Sequence, residues 1–204
     1  MGRLTGKNIL IIIPKDYYDE DELEIPHQIF QSEDAAHIII ASGKMKEAVG
    51  MKSGHRMPDR LLVDTMEGIT GDSYVTGGTG TRQIKAIFHG AVVIGGTGTR
   101  KYLWKDKITR LLLVDRYKSA FVVAGIGEGI GCLAEANLVE NLEVAVDASK
   151  AKKPFLEILE QGKAILSNES IIVHNRIVTG RDASTAEAFA HAVVDEVAKI
   201  TKKK

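Results

Sequence analysis

The chain predicts an α/β fold, a mostly parallel sheet with helices on both faces, and three observations carry that reading. KNILIIIP at 7–14 and HIIIA at 37–41 are apolar at consecutive positions, as strands buried on both faces are, with a helical pattern between them. FVVAGI at 121–126 is a third such run, and it turns through Gly127, Gly129 and Gly131 into a helical pattern carrying Leu133, Ala134, Ala136 and Leu138. Strand–helix–strand alternation of this kind gives a parallel sheet joined by right-handed crossovers. The 204 residues suffice for one α/β domain, and no linker interrupts them, so residues 1–204 read as a single unit.

The remaining elements follow in order. After the first strand, DYYDEDELEIP is an acidic loop entering a helix whose apolar face holds Ile25, Ile29 and Phe30. Ser42 to Pro58 is polar and contains glycine, a loop or small hairpin, and Arg60 to Val63 is a short strand. GGTGTR occurs twice, at 77–82 and 95–100. Only the second copy follows a convincing strand, Ala91 to Ile94, so the stretch of about 68–88 reads as a surface insertion. Lys101 to Lys118 is a helix with Leu103, Ile108, Leu111, Leu112 and Val114 on its apolar side. Leu142 to Val146 is a strand. Ala151 to Gln161 is a helix ending at Gly162, the usual place for a C-terminal glycine. Ile171–Val173 and Arg176–Val178 form a hairpin about His174 and Asn175. The last helix starts after Thr179-Gly180-Arg181, capped by Asp182 or Ser184, with Ala186, Phe189, Ala190, Val193, Val194 and Val197 on one face.

Composition removes several functions. Lys+Arg and Asp+Glu are both 27, so no global charge draws the chain to nucleic acid or an acidic membrane. The C-terminal Lys202-Lys203-Lys204 reads as a frayed, solvated end. The N-terminal apolar run is too short for a signal peptide or a membrane span. A single cysteine cannot form an internal disulfide and fits a reducing cytoplasm. The six histidines show no metal-ligand spacing, so neither a metal nor a cofactor is expected. Ser53, Ser73 and Ser184 have no G-x-S-x-G setting. The acidic run Asp19, Glu20, Asp21, Glu22 and Glu24 reads either as a solvated loop or as a cation attractor. Neither GGTGTR copy is a phosphate loop, because no Gly-Lys-Ser/Thr follows.

The chemistry concentrates at the turn after FVVAGI. A strand turning sharply into a helix exposes one residue at its tip and points free N–H groups above it. The plainest reading of three glycines there is a tight connection. Gly127 holds the tip and has no side chain to attack with. Cys132 stands five residues further, about 7.5 Å of helical rise away, among apolar neighbours, which marks it as a buried structural thiol.

ILIIIPKDYYDEDELEIP, HIIIAS, AVVIGGTGTR, FVVAGIGEGIGCLAEANLV and RIVTGRDASTAEAFAHAVV resemble, in order and over nearly the whole chain, the ThiJ/PfpI family, related in fold to class I glutamine amidotransferase domains. The resemblance implies a flavodoxin-like three-layer sandwich and a homo-oligomer. Active members carry a cysteine at the elbow tip, supported by a glutamate in E-x-x-x-P spacing. Those positions are Gly127 and Glu22 before Pro26, so cysteine-dependent protease, amidase or deglycase activity is expected to be absent. In the protease-like branch a histidine follows the cysteine and an acid from a neighbouring subunit faces it. The matching positions hold Glu128 and Arg100, which reverses the charges and suggests an ion pair across a subunit interface. The N–H groups of Gly96 and Glu128 match the oxyanion donors, with Glu22 and Arg181 lining the same cleft. Two functions stay open. One is a regulatory, structural or binding protein that takes a small anionic or polar metabolite. The other is an enzyme using Glu22 or Glu128 as general acid or base.

Overall fold

A computed structural model describes residues 2–67, 69–70 and 84–200. Its centre is a seven-stranded sheet built from β1 (Asn8–Ile12), β2 (His37–Ser42), β3 (Arg60–Leu61), β4 (Gly90–Val93), β5 (Val122–Ile126), β6 (Ile171–His174) and β7 (Ile177–Gly180). The spatial order is β6-β7-β5-β4-β1-β2-β3, parallel throughout except for the β6–β7 hairpin. The helices are α1 (Glu20–Ser32), α2 (Thr97–Tyr102), α3 (Lys107–Lys118), α4 (Ile130–Glu135), α5 (Lys153–Gln161) and α6 (Ala186–Ala198). The flavodoxin-like α/β architecture read from the sequence is the one observed.

The continuous apolar runs have a simple cause. Side chains alternate across a strand, and both faces of this sheet are covered. Ile9 and Ile11 of β1 pack with Leu23 and Phe30 of α1 and Phe189, Val193 and Val197 of α6. Leu10 and Ile12 point the other way, into a core shared with Leu112 and Leu113 of α3 and Leu133 of α4.

Several elements differ from expectation. The helix expected over 101–118 is two helices, because the chain leaves α2 at Leu103 and restarts where the Asp106 carboxylate accepts the Thr109 N–H at 2.7 Å. Glu143–Ala145 does not join the main sheet but pairs in parallel with Ile165–Ser167. Gly162 ends α5 with φ −76°, and it is Lys163 that turns left-handed, with φ 53°. Glycine is required at 162 for space: a Cβ there would meet the Ala134 Cβ at 2.8 Å. Ala48–Val49 and His55–Arg56 form the small hairpin expected between Ser42 and Pro58. Ile69–Thr70 and Ile84–Ala86 pair antiparallel. The first GGTGTR and most of the expected 68–88 insertion lie outside the described residues.

Candidate functional site

Four connections leave the C-terminal ends of parallel strands and converge: β1 into α1, β4 into α2, β5 into α4 and β7 into α6. Ligands of open α/β sheets bind at such carboxyl ends. Here the connections form one side of an open cavity of about 230 Å³. Its polar walls include Asp19, Glu22, Gly96, Glu128, Arg181 and Asp182, and Met51, Val146 and Phe155 supply an apolar side.

Glu22 sits in the first turn of α1, where Asp19 caps the helix by accepting the N–H groups of Asp21 and Glu22. Pro26, four residues on, has no N–H to give the Glu22 carbonyl, so the spacing E-x-x-x-P leaves that turn short of one helical bond. The Glu22 side chain is 4% exposed. Its Oε2 accepts the Gly95 N–H at 2.8 Å, and no described residue bonds its Oε1. Burial first, then the nearby Asp19, Asp182 and Glu128 carboxylates, push its pKa up to about 8 against the Gly95 hydrogen bond.

Gly127 follows β5 with φ 52°, the left-handed region that glycine adopts without strain. A Cβ built there would press on Glu22 Oε1, nearer than real Cβ contacts come. The carboxyl of Glu22 therefore fills the space in which a side chain at the elbow tip would begin. Gly95 is bound by the same group, since a Cβ on it would lie 2.5 Å from Glu22 Oε2. Gly96, with φ 107°, caps α2, and its N–H donates to no described residue.

Arg100 and Glu128 do meet, but within one chain: the Arg100 guanidinium lies 3.1 Å from Glu128 Oε1. The sequence reading expects a second subunit to bring the two together; this contact lies within one chain. Arg100 rises from α2 and Glu128 from the elbow, and these neighbouring turns place the pair. Burial raises the Glu128 pKa, and Arg100 and Lys152 oppose that shift. The Trp104 indole N–H, in turn, donates to the Glu128 carbonyl at 2.7 Å and fixes the elbow backbone. With side chains 26% and 17% exposed, the ion pair should show a coupling of about 1–2 kcal/mol in a double-mutant cycle of Arg100→Gln and Glu128→Gln followed by denaturant unfolding. The charge swap Arg100→Glu with Glu128→Arg should recover part of the stability at every protein concentration. Recovery only at high concentration would return the pair to an interface.

Arg181 lines the cavity, donating to Asp182 Oδ2 and to the Asn168 carbonyl. Cys132 is buried, burial drives its thiol pKa far up, and it does not line the cavity. Sequence reasoning missed Asp19, Lys152, Phe155 and Met51 as cavity residues. Asp19 carries a readable signal, an aspartate at the N-cap three residues before a glutamate. Lys152, Phe155 and Met51 come from segments distant in sequence, and nothing local marks them. Among the described residues no group of three or more His, Cys, Asp or Glu could hold a metal ion. Nor is any helix among them long and apolar enough to cross a membrane.

The sequence pattern described as the DJ-1/PfpI family matches residues 7–196. No curated protein matches the chain. Among solved structures, the chain is similar to a ThiJ/PfpI domain protein from Brachyspira murdochii, with TM-score 0.77 and 24% identity over 95% of this chain and 98% of that one. It is also similar to Drosophila melanogaster DJ-1beta, with TM-score 0.71 and 16% identity over 98% and 92% of the two chains. A third likeness is to Schizosaccharomyces pombe DJ-1, with TM-score 0.71 and 16% identity over 96% and 93%.

Proposed function

Because this chain belongs to the DJ-1/PfpI family, we propose that it is a member working without the family's cysteine nucleophile, a binding protein whose cavity holds a small anionic or polar metabolite. The observation that carries the reading is the carboxyl of Glu22 lying against Gly127 at the elbow tip. A nucleophile there would need both a side chain and the space Glu22 occupies. The single cysteine offers no substitute, since the thiolate is the reactive form and burial disfavours it. The reading also takes the protein to be cytoplasmic and self-associating, supported by a lone unpaired thiol and the family resemblance.

The test is alkylation of the protein with and without Cys132→Ser, assayed against peptide, amide and glycated substrates. No turnover dependent on Cys132 is expected. Turnover abolished by alkylating Cys132 and missing from Cys132→Ser would overturn the reading.

One observation favours a second reading, an enzyme using carboxylate chemistry. Glu22 holds its proton at neutral pH inside the cavity, as a general acid must. Any turnover driven this way should fall as pH rises through about 8. Glu22→Gln should abolish that turnover together with its pH dependence.

A further inference from the structure

Most acceptor atoms around the cavity are already engaged. Asp182 Oδ1 accepts from Ser184 and its Oδ2 from Arg181. Asp147 takes Ser149 on Oδ1 and pairs with Lys150 through Oδ2. Arg100 holds Glu128 Oε1, while Glu128 Oε2 is closed off from solvent. One Asp19 oxygen caps α1, leaving its other oxygen and the unpartnered, solvent-excluded Glu128 Oε2 as the remaining carboxylate acceptors.

The unengaged groups are otherwise donors. Gly96 N–H has no acceptor among the described residues. Lys152 lines the cavity and forms no ion pair with a described residue, whereas Lys150 and Lys153 pair with Asp147 and Glu157. Glu22 completes the set. Its Oε2 accepts from Gly95, so the proton of its acid form sits on Oε1, the unbonded oxygen beside Gly127. Burial and the Asp19, Asp182 and Glu128 carboxylates favour the acid form, and the Gly95 N–H opposes it. Arg181 and Lys152 line the same cavity, and Arg100 pairs with Glu128.

From these free valences we infer that the cavity takes a small carboxylate with a short apolar body, its head group hydrogen-bonded by Glu22 Oε1–H and Gly96 N–H, with the Lys152 ammonium supplying the opposite charge. The inference rests on the binding reading above and names its ligand class. A neutral acid donating to a carboxylate makes a short, charge-assisted O–H···O⁻ bond, stronger than a bond between neutral partners. Val146, Phe155 and Met51 offer the surface for the body. The cavity volume equals that of about eight waters, which suits a body with a short chain.

Calorimetric titration with acetate, propanoate, butanoate and hexanoate, and with alkylammonium ions of the same lengths, tests this. Carboxylate affinity should tighten by up to about fourfold per methylene until the cavity is full. It should be level between pH 6 and 7 and fall by about tenfold per unit above pH 8, because one proton is shared between Glu22 and the ligand. Glu22→Gln, whose amide N–H still donates, should bind without that fall. Lys152→Ala should bind several-fold more weakly, and Glu22→Leu should lose at least about tenfold. Carboxylate affinity that ignores pH in the parent, or no carboxylate binding at all, overturns the proposal. Alkylammonium binding with proton release also overturns it yet leaves the cysteine-free binding reading intact. Cysteine-dependent turnover would do the reverse.

Discussion

Gly127→Ala and Gly127→Cys are each expected to destabilise the protein by about 2–4 kcal/mol. Two costs combine. The backbone at 127 has φ 52°, which any residue with a Cβ adopts only under strain. That Cβ would also press on Glu22 Oε1, and Glu22 is held in place by Gly95 and by burial. The double change Gly127→Ala with Glu22→Ala should relieve the contact but not the backbone strain, so its loss should be smaller than the sum of the two single losses yet larger than that of Glu22→Ala alone. In Gly127→Cys the new thiol stands at the start of the turn leading into α4, where backbone N–H groups favour the thiolate. It should therefore alkylate far faster than Cys132. Thermal and denaturant unfolding with timed alkylation checks both points. A melting temperature at or above that of the parent would show that the left-handed turn carries no strain.

The second large effect concerns pH. Glu22 keeps its proton in the folded protein up to about pH 8, while the unfolded chain releases it near the ordinary value of 4.5. Between those limits the unfolded state binds fewer protons than the folded one, so stability falls as pH rises. The slope is about 1.4 kcal/mol per pH unit. The stabilisation is whole below the unfolded value and spent once pH passes the folded one. Glu22→Gln has no proton to lose. It should match the parent near pH 5 and exceed it by on the order of 3–4 kcal/mol at pH 8. Groups common to both proteins cancel when the two unfolding curves are compared at each pH. Parallel curves would mean that Glu22 is ionised in the folded state.

The legible parts of this molecule were those with a local signature. β1 and β5 announced themselves because both their faces are buried, which leaves no polar residue to break the run. The hairpin at Asn175 was legible from its two apolar arms, and the residue does turn left-handed there, with φ 56°. Ile165–Ser167 was missed because its side chains are exposed or half-buried, so the sequence shows no strand-like contrast. At the site, Glu22 and Arg181 were reached through motif spacing, and both line the cavity. Arg100 and Glu128 were read as a pair across subunits, and they meet within one chain. Sequence carries charge and order, not the 3.1 Å separation within one chain. That Glu22 fills the elbow space was equally beyond spacing, since it depends on where a side chain from α1 comes to rest over a turn about 100 residues later.

Trp104 adds an optical consequence. It is the chain's only tryptophan, its indole N–H holds the Glu128 carbonyl, and its ring stacks on Phe155 at 5.9 Å. Phe155 and Glu128 both line the cavity, while the indole itself is 6% exposed. Indole emission responds to the polarity and dipoles around it, so the protein carries a built-in fluorophore one residue removed from its ligand space. A molecule settling against Phe155 changes the field at a single reporter, and occupancy can be followed by intrinsic fluorescence with no label and no chemistry to assay.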